Sequence, residues 1–204
     1  MISPSTLYDL SKIDLRIIAG KYRGRNLKGP PSLQVRPTSD RLRETLFNVI
    51  APRIEGTRFL DLCAGSGAVG IEALSRDAAH STFVDRSRKI CGLIEANLDL
   101  CRISEHETEV VQSEAAEFLR QAISRKAGPW DIVFFDPPYA TDYLRVLNLF
   151  GFSTAALLAE GGLLIVEHDR KNLLKDEVGS MVRSRILKQG DSALSFYKES
   201  NDAI

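Results

Sequence analysis

The chain is poor in the residues that would commit it early to a function. Only three cysteines occur in its 204 residues, Cys63, Cys91 and Cys101. The count is odd and C-x-x-C spacing is absent, so no disulfide framework is expected. The histidines, His80, His106 and His168, are scattered among them, and no set of ligands at zinc spacing forms, so no metal is expected. No run of about 18 apolar residues exists, which excludes a membrane-spanning helix. Met1 to Leu15 lacks the basic start and apolar core of a secretory signal, and a reduced, cytoplasmic setting is expected. Internal repeats and low-complexity tracts are also missing. What remains is ordinary for a globular protein, with 44% apolar and 26% charged residues.

The formal net charge of zero conceals an asymmetry. Residues 1–50 carry nine Lys/Arg against four Asp/Glu, and the remainder carries 18 against 23. Between Arg16 and Arg43 there are eight bases and one acid, Asp40. These bases interleave with glycines and Tyr22 instead of forming a helical stripe, which suits a face that contacts phosphates. Lys21, Arg23, Arg25, Arg36, Arg41 and Arg43 are the candidates for binding nucleic acid. They would supply affinity for the backbone and no reading of sequence.

Three segments are expected: a tail over 1–15, a basic β-hairpin and helix over 16–52 packed on the main domain, and that domain over 53–204. In the second segment Arg16 to Leu27 reads as a hairpin and Gly29-Pro30-Pro31 breaks it. Thr38 or Ser39 can cap a helix whose face is Leu42, Leu46, Val49 and Ile50, and Pro52 stops it. From Arg58 strand and helix patterns alternate. Strands are expected near 58–63, 80–85, 108–112, 131–135 and 162–167, and helices near 67–76, 87–100, 114–125, 143–159 and 170–180. Val182 to Lys188 and Ala193 to Lys198 read as a closing hairpin that adds an antiparallel strand at the sheet edge. This is the pattern of a doubly wound α/β, Rossmann-like sheet, mostly parallel.

Two motifs fall at carboxyl ends of strands, where open α/β sheets bind ligands. Asp136-Pro137-Pro138-Tyr139 follows the apolar run Trp130 to Phe135. Two prolines fix a non-repetitive backbone that can present the Asp136 carboxylate, the Pro137 carbonyl and the Tyr139 ring to one small planar group. An exocyclic amine of a nucleobase is a poor nucleophile, because its lone pair is delocalised. Two acceptors on its N–H groups free that pair for attack on a sulfonium methyl, and a ring can stack on the flipped base. The plainer reading is a strand end, a Pro-Pro turn and a tyrosine over the core.

The second motif is Asp61-Leu62-Cys63-Ala64-Gly65-Ser66-Gly67-Ala68-Val69-Gly70, between the first strand and its helix. Glycines admit a ligand close to the backbone, and the helix start offers free N–H groups. Residues 65–70 also match G-x-G-x-x-G, with Asp85 ending the next strand, so a nicotinamide enzyme competes. Asp61 suits pyrophosphate badly, however, and a D-P-P-Y turn has no role in hydride transfer. S-adenosylmethionine explains both: Asp61 near its ammonium, Gly65 and Gly67 along its methionine and ribose, and Asp85 on the ribose hydroxyls. Glu114 reads equally as an acceptor for the adenine amine or as an exposed helix start. Glu167 reads either as lining the same crevice or, more readily, as a solvated strand end, and Cys63 reads as a small core residue.

Arg16-Ile17-Ile18-Ala19-Gly20, Gly24-Arg25, Arg36-Pro37-Thr38, Arg41, Arg43-Glu44-Thr45-Leu46-Phe47-Asn48, the Asp61–Gly70 loop and Asp136–Tyr139 together resemble the bacterial 16S ribosomal RNA guanine-N2 methyltransferases of the RsmD type. The resemblance runs over residues 16–198. It implies a class I methyltransferase fold of seven strands, S-adenosylmethionine as methyl donor, and a guanine in the small ribosomal subunit or its assembly intermediate, usually numbered 966. Asp61, Gly65, Gly67, Asp85 and Glu114 would then hold the cofactor, and Asp136, Pro137 and Tyr139 the base. Arg36 to Arg43 would border the active site. A monomer without metal is expected. Cys63, Asp85 and Glu114 depart from the residues usual in the family. Methylation of adenine N6 in DNA is the first alternative, though such enzymes usually carry a separate recognition domain. A cofactor-binding ribosome-assembly factor is the second.

Overall fold

The computed structural model describes residues 15–30, 40–138 and 141–200. Tyr139, Arg36, the capping residues Thr38 and Ser39, and the 1–14 stretch of the tail lie outside them. An eight-stranded sheet runs through the molecule in the order β3-β2-β1-β4-β5-β8-β7-β6. The strands are β1 (Arg58–Leu62), β2 (His80–Asp85), β3 (Thr108–Gln112), β4 (Trp130–Phe135), β5 (Leu158–Asp169), β6 (Glu177–Val178), β7 (Met181–Gln189) and β8 (Ser192–Glu199). The first five are parallel, and β8, β7 and β6 continue antiparallel.

The central strands read as unbroken apolar runs because both their faces are covered. Phe59, Ile132, Phe134, Ile165 and Phe196 pack on one face, against α1 (Asp40–Ile50) and α2 (Ala68–Ser75). Phe83 and α2 also meet α3 (Arg88–Cys101) and the N-terminal Leu15, Ile17 and Leu27. Leu60, Leu62, Val133, Phe135, Leu164 and Val166 pack on the other face, against α4 (Ala115–Arg125) and α5 (Leu144–Phe152). Alternate residues of one strand thus serve two different layers.

The order of strands reverses between β1 and β4, so the helices that follow them leave on opposite faces and a crevice opens at their carboxyl ends. Gly70 lets α2 lie close on β2: a Cβ there would stand 2.3 Å from the Phe83 ring. No described helix is long and apolar enough to cross a membrane.

Three expectations change. The sheet has eight strands, because the two-residue β6 adds an edge that the sequence does not mark. The helix expected over 170–180 does not form; Leu174 is buried in the core while Leu173 is 84% exposed, and Val178 joins β6. Their helical spacing reflects separate contacts of an irregular crossing segment. The expected basic β-hairpin forms only in part, with one antiparallel bridge, Arg16 to Asn26, and no extended strands. Ile17 donates to the Arg25 carbonyl at 3.0 Å, Gly24 to the Ile17 carbonyl at 2.8 Å and Leu27 to the Leu15 carbonyl at 2.7 Å, while the amides at its tip go to α2. Ile18 and Ala19 donate to the Glu72 carboxylate at 2.7 and 3.0 Å, Lys21 donates to the Ser75 carbonyl at 2.7 Å, and Tyr22 donates to Ser75 Oγ at 2.9 Å.

Candidate active site

A cavity of about 580 Å³ opens at the carboxyl edge of the sheet. That is a volume suited to a ligand of cofactor or drug size. The register shows how its floor is made. Val84 pairs with Leu62, Leu62 with Phe135, and Phe135 with Val166. One step beyond these pairs stand Asp85, Cys63, Asp136 and Glu167, a row across four adjacent strands, and all four line the cavity.

One end of the cavity is formed by Gly65, Asp85, Ile90, Ser113 and Glu114. Gly65 has φ +56°, and the place its Cβ would take is open, with nothing within 4 Å. A ligand can therefore lie directly on the backbone there. Its N–H donates to Asp85 Oδ2 at 3.3 Å, and Ser87 N–H donates to Oδ1 at 2.9 Å. The two bonds hold the Asp85 carboxylate at the mouth of the glycine loop, with further lone pairs for a diol. Glu114 is exposed at the N-cap of α4 and faces Arg86 at 3.7 Å.

Asp61 and Gly67 lie behind this surface and are not among the lining residues. Asp61 is 2% exposed, and its Oδ2 accepts from the Gly70 N–H at 3.0 Å. Burial pushes its carboxyl up to about 8, against the Gly70 hydrogen bond, with Asp85 adding to the rise. The Asp61 carboxylate is turned toward Gly70 and holds the loop. Gly67 has φ +76° and caps α2 next to Ile94, so it serves the turn and its packing.

At the other end Asp136 leaves β4, with its N–H on the Leu62 carbonyl at 3.3 Å. Pro137 is buried and Pro138 exposed, and both line the cavity with Thr141 and Arg145. Arg41 and Leu42 of α1 and the Gln189–Ser192 turn between β7 and β8 complete the wall. Thr45 Oγ1 lies 2.8 Å from Gln189 Oε1 and ties α1 to that turn. Cys63 sits between the two ends with φ +64°. Burial, then Asp85 and Asp136, raise its thiol far above the ordinary range, so it stays protonated. No group of three or more metal-ligating side chains occurs among the described residues.

The basic residues separate into three groups. Arg41 lies at the cavity, joined by Arg145, which the sequence does not single out. Arg43 is fully buried, donating to the Arg16 carbonyl at 2.6 Å and to Asp40 at 2.9 Å, and therefore braces the fold instead of meeting phosphate. Lys21 reaches Glu107 at 3.1 Å, and Arg25 donates to the Cys101 carbonyl. Both partners follow the length of α3, about 21 Å, at the amino edge of the sheet. Arg23 is exposed, beside Arg16, Asp40 and Glu44. Glu167 takes the less expected of its two places. It is 5% exposed and in the cavity wall, because the β7–β8 turn covers a strand end that in isolation would be wet.

Residues 15–198 match the family model described as Conserved hypothetical protein 95. Ribosomal RNA small subunit methyltransferase D of Escherichia coli K12 is 42% identical over 159 residues, 78% of this chain and 76% of that protein. YlbH of Bacillus subtilis is 38% identical over 185 residues, 91% of this chain and 99% of that one. The solved structure of yhhF from Escherichia coli superposes with a TM-score of 0.75 at 37% identity, covering 90% of this chain and 97% of that one. The chain belongs to this family, that of the RsmD-type ribosomal RNA methyltransferases.

Proposed function

We propose that this protein methylates the exocyclic N2 amine of a guanine in small-subunit ribosomal RNA, at the position usually numbered 966. The coarser activity, methylation of rRNA with S-adenosylmethionine, is that of the family. One observation supports transfer to an exocyclic amine: Asp136 and Pro137 line the same cavity as Asp85 and the open backbone of Gly65.

The residues fit the cofactor. Gly65 leaves room that a Cβ would fill, Asp85 is held where it can accept from ribose hydroxyls, and Glu114 stands at the far wall. Bound S-adenosylmethionine supplies a sulfonium methyl; the amine nitrogen forms the new N–C bond as the C–S bond breaks, and the amine gives up one proton. The chain's own contribution is positioning and polarisation. The Asp136 carboxylate and the Pro137 carbonyl accept from the amine's two N–H groups, and Asp136 takes the released proton. Tyr139, next in sequence, stacks on the flipped base. Arg41 and Arg145 at the rim meet phosphates flanking the target. The partner is the small subunit or its assembly intermediate, the protein acts as a monomer in the cytoplasm, and no metal takes part.

Labelled S-adenosylmethionine, small subunits from cells lacking the endogenous activity, and duplex DNA test this. N2-methylguanosine should form on the subunit, and Asp136→Ala should lower transfer by at least about 100-fold with cofactor affinity within about threefold. Methyl groups on DNA adenine, or transfer unchanged by Asp136→Ala, would refute it.

A further inference from the structure

We infer that the turn over residues 169–172, at the end of β5, is a phosphate-binding shelf for the substrate RNA, with Arg170 and Lys171 gripping the strand that carries the flipped base. The inference deepens the proposed reaction and rests on that reading. β5 carries Glu167 in the cavity wall and runs on to Asp169, about 7 Å further out. Asp169 is the register partner of Ser192, and the Arg170 N–H donates to the Asp191 carbonyl at 2.7 Å. Asp191 and Ser192 both line the cavity. The turn therefore stands just outside the wall, and β5 lies beyond β4 on the side away from β1 and β2. It borders the Asp136 end and leaves the Gly65 and Asp85 end alone.

The backbone of the turn is fixed. Lys171 N–H donates to Asp169 Oδ1 at 2.7 Å, and Asn172 N–H donates to the Asp169 carbonyl at 2.9 Å. His168, 1% exposed, braces it from below. A carbonyl only accepts, so the 2.9 Å bond to the Asp169 carbonyl puts a ring proton on His168 Nδ1, and Nε2 of the neutral ring accepts from the Ser195 hydroxyl at 2.8 Å. Arg170 and Lys171 are both exposed, and neither has an ion pair among the described residues. Lys21 and Arg183, by contrast, are taken by Glu107 and Asp176. Cations on an ordered backbone lose less freedom when they meet a ligand, and a flipped nucleotide keeps its phosphates outside the pocket. Arg41 comes from α1 and Arg145 from α5, on opposite faces of the sheet. A strand that crosses the mouth from one to the other passes the strand end between them, where the shelf is.

The test runs in two stages. Wild-type enzyme is first given small subunits lacking the modification; if no N2-methylguanosine forms, the proposed function fails whatever the turn does. Affinity for the subunits is then measured directly against salt concentration, beside KM. Arg170→Gln with Lys171→Gln should weaken binding about 10-fold and reduce the slope of log affinity against log salt by about 1 to 2. KM should rise more than kcat falls, with S-adenosylmethionine affinity within about twofold of wild type. Arg125→Gln with Lys126→Gln removes the same charge from the carboxyl end of α4, at the amino edge of the sheet, and should change none of these. Arg170→Lys with Lys171→Arg keeps both charges and should bind like wild type. An unchanged salt slope and KM in the first pair would overturn the inference. So would equal losses in the first two pairs, which reflect net charge alone, or a swapped pair as weak as the glutamine pair.

Discussion

Asp61 shows how a motif residue can be gripped by the loop that carries it. An acid ahead of a glycine loop reads as a ligand for a cation, and the spacing that suggests it is real. Its burial at 2% and its bond to the Gly70 amide are not visible in that spacing. The consequence is a pH dependence with a definite sign. The folded-state carboxyl, raised to about 8, binds its proton more tightly than in the unfolded chain, where about 3.9 applies. Its stabilising contribution is therefore complete below about pH 4 and is lost as pH rises through about 8. Asp61→Asn keeps an acceptor for Gly70 and removes the titration. Its urea midpoint should rise relative to wild type at each step from pH 5 to pH 8; a constant difference would mean that Asp61 ionises normally. Asp136 and Gly65, by contrast, were legible, because a strand-end acid followed by two prolines, and a glycine turn, are local signals. Glu167 was not. Whether a strand-end acid is wet depends on a hairpin more than twenty residues away.

At the level of elements, the parallel strands fall where the apolar runs do, and helices α2, α3 and α4 fall within a residue or two of their patterns. The departures came where partners are non-local: the segment between β5 and β6, and the tip of the N-terminal hairpin, whose amides go to α2. Asn97 shows how that loop is joined to the site. Its Oδ1 accepts from Lys28 N–H at 2.8 Å, while its Nδ2 donates to the Lys28 and Ser66 carbonyls at 3.0 and 2.9 Å. One fully buried side chain on α3 thus fixes both the basic segment and the turn between Gly65 and Gly67. Asn97→Ala should cost about 1–3 kcal/mol. It should also speed tryptic cleavage at Arg23 and Arg25 and weaken cofactor binding severalfold, as read by limited proteolysis and by titration. A loss of stability with neither local effect would show that the two segments are held independently.

On the scale of the molecule, the even net charge hides two basic regions at different places. Arg41 and Arg145 stand at the cavity mouth, while Lys21 and Arg25 lie at the far edge of the sheet. An RNA that feeds a base into the cavity meets the first pair before the second. Arg41→Ala with Arg145→Ala should raise KM more than it lowers kcat and reduce the slope of log affinity against log salt by about 1 to 2. Arg23→Glu with Arg25→Glu should weaken RNA binding with little change in cofactor affinity. If the mouth pair leaves KM and the salt slope untouched, the RNA approaches from elsewhere.

The strand order has a consequence for the chain as it is made. β8 follows β7 in sequence but lies between β5 and β7 in the sheet. While the polypeptide emerges from a ribosome, β5 keeps an open edge until Ser192–Glu199 are free to insert. The glycine loop and its neighbours can assemble during that interval, whereas the wall made by Gln189 to Ser192 cannot. The strands that carry Gly65, Asp85 and Asp136 are therefore all made before the wall that closes the cavity over them.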